Sequence, residues 1–262
     1  MAHKEPSNQA KKDRELFNAI AEQYCRKDLA PAHRLARKFR LEQSVAALGN
    51  ITAPDILEVG CGAGFSADYL HGRYKTYLGL DYSEKLIAFA KSKNRRAGAD
   101  FIVADIAQHQ SKTKYDAIIM IGLLHHLEEP ATTLSQMIKL TKPGGLIIAN
   151  EPQSGNPAIS FLRWVRKKTD PSYSEDQEEY SKEELIKLAQ QAGLTDIQIY
   201  PQGLFSTPFA EVLLPFQIIM MPLSKFACFL DRVLEKYLPG ILSFISWNLI
   251  LVAKAPKGPG HD

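Results

Sequence analysis

Cysteine is scarce in this chain: its 262 residues include 3, Cys25, Cys61 and Cys228. The number is odd, the spacing wide and no C-x-x-C pair occurs, so neither a disulfide framework nor a structural zinc site is expected, and a reducing, cytoplasmic compartment fits best. Long apolar runs are missing too. No window holds about 20 uninterrupted apolar residues, the length a spanning helix needs, and the opening MAHKEPSNQAKKDR lacks the apolar stretch of a secretory signal. There is no large excess of one charge. With 32 Lys and Arg against 29 Asp and Glu the net charge is +3, too small an imbalance, without a broad basic stripe, to argue for nucleic acid. Internal repeats and low-complexity tracts are absent, and 45% hydrophobic with 23% charged residues excludes a disordered or collagen-like chain.

What is present is alternation. Between Pro54 and Pro152 the short runs ILEVG, TYLGLD, FIVAD, AIIMIG and LIIAN are rich in Ile, Leu and Val. They are apolar on both faces, as strands of a parallel sheet buried on both sides should be. FSADYLHG, SEKLIAFAKSKN and PATTLSQMIKL separate them with helical periodicity. TDIQIYPQ and WNLILVAKA add two later strands. The pattern predicts a doubly wound α/β fold with seven strands. Ahead of it, Lys11 to Leu48 reads as two amphipathic helices. Two stretches exceed ordinary loops: 153–180, with the basic apolar piece ISFLRWVRKK, and 203–245, mostly apolar and expected to be helical.

Three strand tips carry chemistry. The first ends in Glu58-Val59-Gly60-Cys61-Gly62-Ala63-Gly64. Glycines there permit positive φ and close approach of a ligand, and a strand–loop–helix junction is expected to offer amide N–H groups to it. The G-x-G-x-G spacing is not the G-x-G-x-x-G of dinucleotide enzymes. The second strand ends in Asp81-Tyr82, an acid placed to accept ribose hydroxyls at the topological switch point, or else to cap the helix beginning near Ser83. The third ends in Asp105-Ile106, where a carboxylate and the next amide can read an adenine edge. Past the fourth strand stand His125 and His126, side chains that titrate near neutral pH and so suit general-base work.

Taken together, LEVGCGAG, GLDYS, VADI, YDAIIMIGLLHHLEEP and LTKPGGLIIANEP resemble the class I S-adenosylmethionine-dependent methyltransferases over about residues 54–152. The style is that of the small-molecule group that includes the ubiquinone and menaquinone enzymes. FNAIAEQY looks like that group's entry helix, with Cys25 where an acid usually follows the tyrosine. The resemblance implies a Rossmann-like seven-stranded sheet with its last strand antiparallel. It implies a helical cap over residues 1–50, and a catalytic domain over 51–262 with cap insertions at 153–180 and 203–245. It further implies that S-adenosylmethionine is the cofactor. Gly60, Gly62 and Gly64 would line the methionine moiety, with Tyr24 and Glu58 near its polar end. Asp81 would hold the ribose, Tyr82 would lie beside the adenine, Asp105 and Ile106 would read its edge, and backbone at Ile121 would face the amino group. His125 or His126 would serve any base step. No metal is implied.

The expected reaction is in-line methyl transfer to oxygen or carbon of a small, lipophilic acceptor. Other chemistry on the same cofactor, or a non-catalytic cofactor-binding module, are the alternatives; the spacing and Asp105 disfavour an NAD-dependent dehydrogenase. Phe205, Phe209, Leu213, Phe216, Ile219, Met220 and Met221 are expected to line an apolar acceptor pocket. ISFLRWVRKK, over 159–168, together with 203–230, reads as a peripheral membrane contact.

Overall fold

The computed structural model describes residues 8–106, 109–156, 159–161 and 179–257. Seven strands form one sheet: β1 (Asp55–Val59), β2 (Thr76–Asp81), β3 (Ala99–Val103), β4 (Tyr115–Ile121), β5 (Thr141–Pro152), β6 (Thr195–Gln202) and β7 (Asn248–Lys254). Their spatial order is β3-β2-β1-β4-β5-β7-β6. β1 to β5 pair in parallel, and β7 runs antiparallel to both β5 and β6. The order reverses between β1 and β4, so a crevice opens beyond their carboxyl ends, where open α/β sheets bind ligands.

Alternation along the central strands sends successive side chains into two cores. Leu57, Val59, Ile118 and Met120 pack with Leu134 and Met137 of α5 (Pro130–Leu140) and with Leu185 and Leu188 of α6 (Lys182–Ala192). Ile56 and Ile119 face the other side. There they meet Leu41, Val45, Leu70 and Ile87, from the segment around α2 (Pro31–Ser44), after α3 (Phe65–Tyr69) and from α4 (Glu84–Lys93). Burying one such side chain contributes about 1.5–3 kcal/mol. Edge strand β6 is largely exposed, as its alternating TDIQIYPQ requires. Local signals fix the helix ends: Ser181 and Glu184 form a reciprocal capping box on α6, and Gly193 closes it at φ 90°.

The remaining helices are α1 (Asn8–Leu29), α7 (Thr207–Glu211), α8 (Gln217–Tyr237) and α9 (Pro239–Ile245). α1 docks on the start of α4. Asn18 accepts from the Ser83 hydroxyl at 2.7 Å and donates to Glu84 at 2.9 Å. α8 lies on α2 through its small buried residues Ser224, Ala227 and Cys228. That geometry corrects the expected acceptor pocket. Phe205, Leu213, Phe216 and Ile219 are exposed, the last two at 74% and 64%, and Phe209 packs at the edge of the α2–α8 seam. None of the seven lines the crevice cavities. Close helix packing selects the face with small side chains, and the large ones are left outside. Of the ISFLRWVRKK stretch, Ile159 is buried and Phe161 exposed; 162–168 lie outside the described residues. No described helix is long and apolar enough to cross a membrane.

Candidate functional site

Three adjoining cavities follow the crevice. Gly60 borders all three. Asp81, Tyr82, Leu123 and His126 border the first two, and Tyr24 and Ile121 the last two. The cavities therefore form one track from β3 past β1 to the inner side of α2.

At the first end the walls are Leu80, Ala104, Ile106, Leu123 and Leu127, with Tyr82 and Asp105. This is a largely apolar slot, with Asp105 at one side and Asp13 and Asp81 where it meets the middle of the track. In the middle stands Asp81. Its Oδ2 accepts from the Gly62 N–H at 2.9 Å and its Oδ1 from the Ser83 N–H at 2.8 Å. The α4 cap itself is Ser83, whose hydroxyl accepts from Leu86 N at 3.2 Å. Burial raises the Asp81 pKa, and the two N–H bonds pull against that rise. Each carboxylate oxygen keeps a further lone pair for a diol.

The glycine loop works through space more than through donors. Gly60 and Cys61 give their N–H groups to Leu80 O, and Gly62 gives its own to Asp81, so these three amides are not aimed at a ligand. This corrects the expectation of open amides. A Cβ on Gly60 would stand 3.0 Å from Leu123 Cδ1, and one on Gly62 3.3 Å from Tyr24 Cε1; both would narrow the track. Gly64 does not line it. Its φ of 74° caps α3, and a Cβ there would meet Phe101 at 2.6 Å and Ala90 at 2.8 Å. Its role is packing of loop on core.

The far end is ionic. Arg37 of α2 pairs with Asp28 at 3.1 Å and donates to the Tyr24 hydroxyl at 3.2 Å. Burial alone would lower its pKa; Asp28 and Tyr24 more than offset this, so the guanidinium stays charged. Cys25 is buried with Ala21, Ala63 and Leu86. The acid facing Arg37 comes three residues later, from Asp28. Glu58 borders the same cavity. It accepts from Ser66 at 2.8 Å and from the Tyr77 hydroxyl. Burial pushes its carboxyl up to about 8, against the hydrogen bond from Ser66.

The two histidines part company. His126 borders the first two cavities, edge-on to Phe17 of α1 and 3.4 Å from the Asp13 carboxylate. His125 borders none of the three. Its Nδ1 lies 2.7 Å from Glu151 Oε2, and burial lowers its pKa despite that partner. Glu151 is fully buried at the end of β5. It also accepts from Leu123 N at 3.0 Å, Leu124 N at 2.9 Å and His125 N at 3.4 Å. It thereby staples the loop after β4.

Sequence reasoning missed Arg37, Asp28, Asp13 and Glu151. Glu151 stood in a quoted motif without a role. The others sit on amphipathic helices where nothing distinguishes them from surface charges. No group of three or more His, Cys, Asp or Glu suited to a metal occurs among the described residues.

The seven-stranded order with its last strand antiparallel is the Rossmann-like fold of the solved S-adenosylmethionine-dependent methyltransferases that the chain resembles. Residues 57–149 match the methyltransferase domain family. The ubiquinone biosynthesis O-methyltransferase of Escherichia coli is 27% identical over 152 residues, 55% of this chain and 63% of that protein; the chain spans 63% of the length of the curated relatives it matches. Among solved structures, a methyltransferase of Thermotoga maritima, described as a possible histamine N-methyltransferase, superposes with TM-score 0.63 at 18% identity over 92% of this chain and 98% of that one. The magnesium protoporphyrin IX methyltransferase of Synechocystis, with bound S-adenosylhomocysteine, gives 0.60 at 16% identity over 94% and 99%. These last two likenesses speak for the fold.

Proposed function

We propose that the protein transfers a methyl group from S-adenosylmethionine to oxygen or carbon of a small lipophilic acceptor of quinone, isoprenoid, polyketide or lipid-like type. The observation that carries the reading is the single track with an apolar slot, a central carboxylate and an ionic end. Those three chemistries match an adenine, a ribose and a zwitterionic amino acid in order.

The slot of Leu80, Ala104, Ile106 and Leu123 takes the base, with Tyr82 beside it and Asp105 at its amino edge. Asp81 takes the ribose. Gly60 and Gly62 leave room for the chain that follows, past the Ile121 backbone. At the ionic end Arg37 holds a carboxylate, with Tyr24 over it, while Glu58 and Asp28 face an ammonium. When bound, the cofactor supplies an already activated methyl on a sulfonium. The protein therefore has to align the acceptor and exclude water. Phe17 and Asp13 of α1 cover the track. His126, open to it, is the residue placed to accept a proton if the acceptor keeps one. His125, locked on Glu151, holds the loop that carries His126. α1, α2 and the 203–245 helices act as the cap. The acceptor's lipophilic character is supported by the apolar outer face of that cap and, more weakly, by the quinone-pathway relative.

Calorimetric titration with S-adenosylmethionine, S-adenosylhomocysteine and NAD, repeated with Asp81→Ala, tests the reading. Binding of the two sulfur nucleosides alone, weakened at least 100-fold by the substitution, is expected from the loss of two strong hydrogen bonds. Equal binding of NAD, or no effect of Asp81→Ala, overturns it.

A further inference from the structure

Among the described residues, the outer face of α8 and α9 gathers most of the exposed large apolar side chains. Thirteen of the eighteen exposed large apolar residues described fall between Val212 and Phe244. Ile218, Ile219, Leu223, Phe226 and Phe229 follow one side of α8, and Phe244 stands on α9 at 74% exposure. Apolar patches of this extent mark an interaction surface.

The charges of the same segment are sorted by sign. Lys225, Arg232 and Lys236 are exposed. Both acids of α8 turn inward. Asp231 is buried, accepting from the N–H groups of Leu204, Phe205 and Ser206 at 2.8–3.1 Å, and Glu235 accepts from Gly203 N at 3.0 Å. No other charged residue occurs between Val212 and Ile245. The exposed side is thus apolar and purely cationic, as a helix lying in the interface of an anionic bilayer requires: rings and aliphatic groups enter the headgroup layer while long cationic side chains reach its phosphates.

We propose that this face docks the protein on an anionic lipid surface, lying on it without crossing it. A second copy of the chain fits less well. A two-fold contact through this face would bring two sets of the same cations, and no exposed acid of α8, into one interface. The position suits a lipophilic acceptor. α8 packs on the Ala36–Phe39 side of α2, whose other side presents Arg37, Arg40 and Leu41 to the cofactor track. One helix separates the lipid face from the site. The inference does not depend on methyl transfer.

Flotation of the full chain with vesicles of phosphatidylcholine, with and without phosphatidylglycerol, tests it. Binding to the anionic vesicles that weakens with salt is expected. Phe226→Ser with Phe229→Ser should abolish it. Lys225→Glu with Lys236→Glu should weaken it at least 25-fold, at about fivefold for each lysine. Thermal midpoints should stay unchanged, since all four positions are exposed. Asp81→Ala should bind vesicles like the parent, which separates this surface from the cofactor site. No flotation at low salt overturns the proposal. So does flotation unaffected by the α8 substitutions, which would put the contact elsewhere. So does a dimer in light scattering that the phenylalanine substitutions dissolve.

Discussion

Replacing Glu151 offers the most discriminating perturbation. Its carboxylate receives the backbone N–H groups of Leu123 and Leu124 on one oxygen, and the N–H and ring Nδ1 of His125 on the other. An ionised carboxylate only accepts, so the His125 proton sits on Nδ1. In Glu151→Ala three backbone donors, the one from His125 only weakly bound, and the ring lose their acceptor in a buried site. At about 1–3 kcal/mol for each stranded donor, less some relaxation, the cost is about 3–5 kcal/mol. Glu151→Gln is gentler. The N–H groups of Leu123 and Leu124 cannot change sign, so the amide oxygen must face them and its NH2 must face His125. The ring answers by moving its proton to Nε2, which makes Nδ1 an acceptor. The expected cost is about 1–2 kcal/mol, for the lost charge and the weak His125 N–H contact. Urea unfolding reads both costs, and imidazole 15N shifts read the tautomer. An alanine variant within about 0.5 kcal/mol of the parent, or an Nδ1 proton retained in the glutamine variant, would refute the stapling argument.

Three more outcomes follow from the same geometry. Glu58 titrates near 8 in the free protein, so an ammonium bound beside it draws off its proton. Cofactor binding near neutral pH should then release about one proton and tighten by up to about tenfold per pH unit until pH 8, and Glu58→Gln should remove the buffer dependence of the binding heat; heats identical in buffers of different ionisation enthalpy would contradict this. His33, buried beside Arg37, titrates near 3. The unfolded chain takes up that proton near 6.5 and the folded one does not, so stability falls with pH below 6.5, at up to about 1.4 kcal/mol per unit; His33→Leu should flatten that limb in urea unfolding, and an unchanged slope would exclude His33 as its source. Gly64→Ala should cost about 2–5 kcal/mol, combining left-handed strain with overpacking on Phe101 and Ala90. Gly72→Ala, at a similar φ but with nothing within 4 Å, should cost only about 1–2 kcal/mol; equal thermal shifts for the two would show that strain alone decides.

The sheet was legible because its strands obey a rule with few exceptions. ILEVG and AIIMIG are apolar at every position only if both faces are covered, and strands alternating with helices then leave little choice of topology. The strand-tip residues were legible for the same reason: a tip at the switch point is a place before it is a contact. What the strings could not show is which groups satisfy one another. Open amides at Gly60 and Gly62 were a fair expectation from a strand–loop–helix junction. Leu80 O and Asp81 take them because the β1 and β2 tips lie side by side in parallel register. Arg37 and Asp28 meet only after α1 and α2 fold back on each other across Ala30.

The 203–245 segment shows the limit most sharply, and the reason is one of packing. Periodicity finds the helix but not the side that packs. In α8 the large residues Ile219, Met220 and Met221 read from the sequence as part of a pocket lining. Yet the contact with α2 is made by Ser224, Ala227 and Cys228. Small residues let two helices approach closely and let the Ser224 hydroxyl reach Ala32 O at 2.9 Å. Asp231 adds a second anchor by binding the 204–206 backbone. With the polar and small side fixed inward, the apolar side must face out. A soluble helix would bear charges there, and this one bears phenylalanines flanked by cations. The inversion is costly in water, and a partner that accepts both apolar groups and positive charge would relieve it. A bilayer surface does both, and it is also where a lipophilic acceptor would be found.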